Sequence, residues 1–432
     1  MAKKEDIKRA PSPVVSVENG TILKQTNEDA MLQEMGYEQQ MKRGFNFWSM
    51  TAFCLTGLGL LPSLGGTIWY SLGFLGLLPM TWGWLIAVFF IMFEVFALAE
   101  LSSAMPTAGG LTYRTAPPKM KRFACWVTAW CMVLSASLAG GSFFMTQANM
   151  IQALVVMYHP EFAPTDWQVY LVRHLELSDS YCAWAMILPS KILGQLSNIF
   201  VWLGTITFFV ILVALPVYAS KNGRTNSAKA MFTSSYNQTE WSSKSLVFLM
   251  TFLVPLWCIS GYDSTAHLAE ETENASTAVP RAMWISCAAV AVLGYIFNVV
   301  LAYVATDIDA IFASPLGQPL GAIMQLSMGN GTFTKFLWAC TVVSNFGVVF
   351  VINTAGTRIY FAYARDGALP MSKWLSHVNS VTKTPINATI ALSTVFALIG
   401  LISLGSSTAL HAFFSGSSLA GAVTYLMPVL MR

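Results

Sequence analysis

Two runs of glycine, proline and small residues, each set inside an apolar stretch, are the segments of this chain best suited to chemistry. The first reads Thr56-Gly57-Leu58-Gly59-Leu60-Leu61-Pro62-Ser63, with Gly65 and Gly66 following. The second reads Pro255-Leu256-Trp257-Cys258-Ile259-Ser260-Gly261-Tyr262-Asp263. Glycine costs a helix interior about 1 kcal/mol and proline about 3 kcal/mol, so each run invites a break. An unwound stretch frees N–H and C=O groups that hydrocarbon cannot satisfy, and a bound polar solute can satisfy them. A half-helix N-terminus suits a carboxylate, and an opposing carbonyl end suits an ammonium group. Thr56, Gly57, Leu58 and Gly59 are therefore the candidates to meet a carboxylate. Cys258, Ile259, Ser260 and Gly261 would offer carbonyls or small side chains to an amine, and Trp257 or Tyr262 can stack over the cation. The plainer reading is a pair of ordinary kinks, since Gly and Pro are frequent in membrane helices.

Three carboxylates accompany these runs. Glu94 lies in the middle of an apolar stretch, Glu100 near its end, and Asp263 just past the second break. An acid in the membrane costs several kcal/mol unless paired or hydrated, which makes each a candidate for gating or proton coupling. Asp263 fits an inner gate or protonation site, and equally a hydrogen-bond partner that caps the broken helix. Glu94 fits a proton relay or a pair with a neighbouring helix. Glu100 fits a structural partner at the membrane edge.

Other chemistries lack their residues. There is no phosphate-cradling glycine loop ending in Lys-Ser or Lys-Thr, no paired-histidine zinc helix and no serine nucleophile elbow. His159, His174, His267, His377 and His411 are scattered singly, and the seven cysteines show no metal-like spacing. The sequence thus predicts neither an enzyme nor a cofactor or metal site, and no ATP-driven pump. A net charge of +3 is too small to argue for nucleic acid.

The elements that must position the two runs follow from composition. Apolar residues make up 55% of the chain against 10% charged, with a mean hydropathy of +0.56. That excess must face a lipid bilayer. At roughly 20 residues per span, the chain has room for about ten. They are expected near 46–72, 79–104, 123–157, 166–189, 195–219, 245–268, 281–305, 333–362, 386–404 and 408–431. The fourth is irregular, because Arg173, His174, Glu176 and Asp179 fall where lipid would be. Residues 1–44 are polar, without the apolar core of a cleavable signal, so the first span is expected to direct insertion. Lys and Arg concentrate on the N-terminal side of the membrane, as the positive-inside rule requires of a cytoplasmic N-terminus; the loop 221–244 is the dissenter. That external loop carries the glycosylation sequon Asn237-Gln238-Thr239.

The breaks fall in spans 1 and 6, five apart, as if each opened a five-helix half. Paired broken helices at matching positions are the sequence signature of an inverted-repeat secondary transporter. The expected organisation is a cytoplasmic segment 1–44, a first repeat over 45–220, an external loop 221–244 and a second repeat over 245–432.

At these residues the chain resembles the amino acid–polyamine–organocation superfamily, and within it the fungal permeases for amino acids, GABA, polyamines and choline. The resemblance runs from Gly36-Tyr37-Glu38-Gln39 to the C-terminus. It is carried by Gly57 to Ser63, by Ala99-Glu100-Leu101-Ser102-Ser103 through Gly110, by Gly261-Tyr262-Asp263 through Glu270-Glu271 to Pro280-Arg281-Ala282, and by Ala364-Arg365-Asp366-Gly367. It implies an all-α membrane protein with a five-plus-five inverted repeat, and a ligand held by the backbone of discontinuous spans 1 and 6. It further implies proton-coupled uptake, with the acidic segment after span 6 as a structural and gating piece. The family pattern of twelve spans would place two more beyond Arg432, and it expects a less polar span 4 and a longer junction between Gly110 and Pro118. The resulting expectation is a multi-pass permease for an amino acid or GABA-like amine, at the plasma membrane or a vacuolar membrane. A choline or polyamine permease, or a non-transporting sensor on the same scaffold, are its alternatives.

Overall fold

The computed structural model describes residues 15–18, 21–24, 32–33, 39–107, 116–162, 168, 190–380, 382–405 and 409–431. Span 1 begins where Asn46 caps a helix, its side chain accepting from Ser49 N–H while the Ser49 hydroxyl accepts from Asn46 N–H. The helix runs Phe47–Leu58, stops at Gly59 and resumes as Leu60–Leu75. Gly59 is left-handed (φ 46°, ψ 56°), a conformation that glycine adopts without penalty. The position is doubly constrained, because a Cβ there would lie 2.3 Å from Val348 Cγ2 of span 8.

Span 6 breaks differently. Helices Lys244–Met250 and Leu253–Cys258 give way to an unwound stretch, and a short helix Ser264–His267 follows. Gly261 at the centre of the stretch has φ 85°. Within the span expected over 245–268, the apolar helix ends at Cys258, inside the run Pro255–Asp263 expected to break it. Span 1 turns on a single residue, whereas span 6 is opened over five.

Seven helical segments among the described residues are long and apolar enough to cross a membrane. They are Phe47–Leu75, Pro79–Ala104, Lys121–Tyr158, Lys191–Lys221, Ala275–Val304, Thr332–Arg365 and Ala409–Leu430. The shorter Lys244–Cys258 and Ile386–Ile402 supply spans 6 and 9. The predicted fourth span and the junction from Gly110 lie largely outside the described residues. Several helices overrun their predicted ends, span 3 reaching 38 residues, because apolar periodicity marks the hydrocarbon slab and not the turns that project beyond it. Outside the helices, Val15–Glu18 and Thr21–Lys24 form an antiparallel hairpin that the sequence reading did not anticipate.

Side-chain periodicity sets the packing. In span 2 the buried residues Trp84, Ala87, Ile91, Val95, Leu98 and Ser102 recur every three or four positions, while Phe89, Phe93 and Phe96 face outward. The buried stripe packs on span 7, where Trp84 Nε1 donates to Ala291 O at 3.0 Å. Span 3 lies along spans 8, 9 and 10, and span 1 sits among spans 5, 7 and 8. This is the broken-helix fold of inverted-repeat transporters.

Candidate functional site

Residues flanking the span 1 break meet the unwound stretch of span 6 at a cavity of about 640 Å³, counted to its open mouth. Span 1 contributes Gly57 and Ser63, and span 6 contributes Trp257, Ser260, Gly261, Asp263 and Ser264. Spans 3, 8 and 10 close the far wall with Phe143, Val351, Ala355 and Tyr425 among others. Gly57 is the point of closest approach to span 8, since a Cβ there would lie 2.8 Å from Val351 Cγ1.

Asp263 is the carboxylate of this cavity. Tyr425 O–H donates to its Oδ1 at 2.6 Å, and His267 Nε2 lies 3.2 Å from its Oδ2. The same Tyr425 oxygen accepts from Gly261 N–H at 3.0 Å. One hydroxyl thus ties the unwound backbone to the acid, and the Tyr262 ring packs 4.9 Å from the Tyr425 ring behind it. Across the cavity Trp257 stacks on Phe143 at 5.0 Å and meets the edge of Phe414 at 4.4 Å. Trp257 Nε1 and Ser264 Oγ are buried without a hydrogen-bond partner. Buried donors are normally satisfied, so two beside one cavity mark where a polar ligand has something to gain. A small cationic solute fits this chemistry: a carboxylate at one side, π faces at the other, and backbone dipoles between.

The remaining candidate residues separate into other environments. Thr56 and Gly59 line a second cavity, of about 580 Å³, among spans 1, 5, 7 and 8. There Thr56 Oγ1 donates to Ser197 O at 3.2 Å. Leu58 is buried and its carbonyl accepts from Ser63 Oγ at 2.7 Å. Cys258 and Ile259 are buried, with Cys258 Sγ 3.8 Å from Thr67 Oγ1. Glu94 Oε1 and the Tyr262 hydroxyl are both buried without a hydrogen-bond partner. Glu100 sits exposed near the end of span 2, away from the cavity lining.

The sequence reading missed Tyr425, Phe143 and Phe414. It also missed Arg358, whose guanidinium is buried two turns before the end of span 8 against Glu271, Nε to Oε1 at 2.8 Å. Beside it Arg365 grips Glu270 through two hydrogen bonds of 2.8 and 2.9 Å. Backbone N–H groups of Gly44 and Phe45 donate to Glu271 O at 2.9 and 3.1 Å, and Gln39 Nε2 donates to Glu270 O at 2.7 Å. The acidic pair after span 6 therefore fastens the lead into span 1 to two arginines of span 8.

Broken helices around a largely apolar cavity that holds one carboxylate, in a bundle of membrane-length apolar helices, are the architecture of a multi-pass membrane transporter. The fold is that of the crystal structure of MhsT in complex with L-phenylalanine, with a TM-score of 0.56 over 90% of this chain and 89% of that one at 13% identity. Residues 45–432 match the family model for amino acid permeases, and the chain belongs to that family. An uncharacterised amino-acid permease of Schizosaccharomyces pombe is 34% identical over 94% of this chain and 75% of its own length. A Candida albicans protein provisionally named a polyamine transporter is 32% identical over 94% of this chain and 74% of its own. The choline transporter of Saccharomyces cerevisiae is 28% identical over 91% of this chain and 69% of its own.

Proposed function

We propose that this permease is a secondary active carrier of an amino acid or GABA-like amine, coupled to protons and working by alternating access. The observation that carries the reading is Asp263, held by Tyr425 at the edge of the cavity where spans 1 and 6 are broken. In this reading the ammonium group of the solute sits between Asp263 and the Trp257 face, and its carboxylate lies toward the side-chain-free surface of span 1 at Gly57. Asp263 also exchanges the coupling proton, with Tyr425 and His267 as the groups that trade hydrogen bonds when it does. Residues 45–220 and 245–432 act as two five-helix repeats, joined by the external loop 221–244 and preceded by the cytoplasmic segment 1–44. Spans 1 and 6 rock against spans 3, 4, 8 and 9, and the Glu270–Arg365 and Glu271–Arg358 pairs hold the cytoplasmic side shut between excursions.

A second reading, a choline or polyamine permease, is favoured by one feature. Trp257, Phe143 and Phe414 form an apolar corner opposite a single carboxylate, which suits an organic cation that lacks a carboxylate. The test is uptake of labelled GABA, neutral and basic amino acids, choline and putrescine into a transporter-deficient cell at two external pH values. Accumulation of an amino acid or GABA that rises at acidic pH supports the first reading, and accumulation of choline or putrescine alone supports the second. Saturable binding with no flux, from protein confirmed in the membrane, would instead make the chain a sensor and overturn both.

A further inference from the structure

A third cavity lies away from the central site. It is the largest of the three, about 1530 Å³ to its open mouth, and lies where the lead into span 1 meets the start of span 5 and the approach to span 9. Lys42, Arg43, Lys191 and Lys383 line it against Glu273, the one acid among its described lining residues. All five sit on the side that the positive-inside distribution makes cytoplasmic. The close approach that shapes the cleft is set by Gly194, where a Cβ would lie 3.2 Å from Ser49 Cβ and 3.5 Å from the Phe45 ring. Lys383 is held with φ 56°, in the left-handed region that a lysine seldom adopts. Non-glycine residues kept there concentrate at ligand clamps.

We propose that this cleft binds the phosphorylated headgroup of an inner-leaflet lipid. The charge argument is direct: among the described lining residues Lys191 and Lys383, beside Lys42 and Arg43, outnumber the one acid, and each basic residue beside a membrane adds attraction for a polyanion. Two long helices also begin at the cleft, at Phe47 and at Ser190, and their N-terminal dipole ends favour the same charge. What selects a lipid over a free phosphate is the apolar wall. Ile192 lines the cleft, and from it an outward-facing stripe of Ile199, Trp202, Ile206, Phe209 and Val213 climbs span 5. Residues at these three-, four- and seven-residue intervals share a helix face, so acyl chains can follow the stripe while the headgroup stays in the cleft. Under the transport reading given above, an occupied cleft also ties the inner half of span 1 to spans 5 and 9; binding itself does not depend on that reading.

The test uses the full chain purified in maltoside detergent. Binding of short-chain phosphatidylinositol bisphosphate is measured beside short-chain phosphatidylcholine and inositol trisphosphate. Saturable binding of the phosphorylated lipid, weaker for inositol trisphosphate and absent for phosphatidylcholine, is expected. Lys191→Gln with Lys383→Gln should weaken it about 30-fold, the equivalent of roughly 1 kcal/mol per basic residue, while the paired arginine variant retains it. Glu273→Gln should tighten binding, a gain that misfolding cannot imitate. Equal affinity in the wild type and the double glutamine variant overturns the proposal. So does equal affinity for inositol trisphosphate, which would make the ligand a free phosphate. Because no flux is measured, failure here leaves the permease reading standing, and failure of uptake leaves this one standing.

Discussion

The Tyr425–Asp263 contact gives the sharpest test of the candidate site. Tyr425→Phe keeps the ring against Tyr262 and deletes one oxygen. That oxygen donates to Asp263 at 2.6 Å and accepts from Gly261 N–H at 3.0 Å. A hydrogen bond to a charged group contributes about 1.5–3 kcal/mol, and a buried N–H left without an acceptor costs about 1–3 kcal/mol. Since both act through one atom, they do not simply add, and about 2–4 kcal/mol is the expected total. Part of this falls on folding and, under the proposed binding mode, part on a solute whose ammonium loses a correctly aimed carboxylate; a 10- to 100-fold rise in apparent Kd is expected, with insertion into the membrane intact. The decisive form is a double-mutant cycle with Asp263→Asn, read by solute-dependent thermal stabilisation of the purified protein. Residues in direct contact show coupling of about 0.5–3 kcal/mol, so Tyr425→Phe should cost far less in the Asp263→Asn background than in the wild type. Strictly additive effects would refute the reasoning, because the contact would then carry no energy for the site.

Other perturbations probe the elements around it. Gly57→Leu should abolish uptake while the protein still reaches the membrane, since its side chain must enter the cavity or displace Val351; normal uptake removes Gly57 from the site. Gly59→Ala meets a backbone cost of about 1–2 kcal/mol and an overpacking cost of about 1–3 kcal/mol against Val348. Adding Val348→Ala should recover the second cost and not the first, as measured by thermal unfolding in detergent. Glu271→Gln leaves the Arg358 guanidinium buried and unpaired, and a loss of about 3–5 kcal/mol of stability is expected; an unchanged unfolding temperature would contradict the burial. Asp263→Asn should flatten the dependence of uptake on external pH, and an unaltered profile removes Asp263 from proton coupling.

The breaks were legible because helix-breaking is a local property. A run such as Gly57-Leu58-Gly59 followed by Pro62 states its preference within one turn, and the left-handed Gly59 lies inside it. Which residues face the cavity was not legible, for a geometric reason. A helix turns about 100° per residue, so Thr56 and Gly59, three apart, share one face and Gly57 occupies another. The sequence reading grouped all three, and the structure divides them between two cavities. The far wall was hidden more thoroughly. Tyr425 touches Gly261 across 164 positions, and Phe143 looks in sequence like any aromatic of an apolar span. Arg358 did carry a signal, as a cation inside the predicted bounds of span 8, but its partner Glu271 lies 87 positions away and only the fold brings them together.

The unequal breaks suggest how selectivity is divided. Across Gly59 the ladder of span 1 is nearly continuous, with Gly59 N–H donating to Leu55 O at 3.1 Å and Ser63 N–H to Gly59 O at 2.8 Å. Few backbone groups are left there for a solute, and span 1 contributes mainly a flat, side-chain-free surface at Gly57. Span 6 is unwound over five residues and carries the charged group, the aromatic face and an unpartnered indole N–H in one segment. If the solute binds as proposed, discrimination among amines falls to span 6 and to the span 10 residue that grips it. Exchanging Tyr425 and its neighbours on span 10 should alter which amine is preferred more than any exchange on the far side of span 1, where Thr56 and Gly59 face a different cavity.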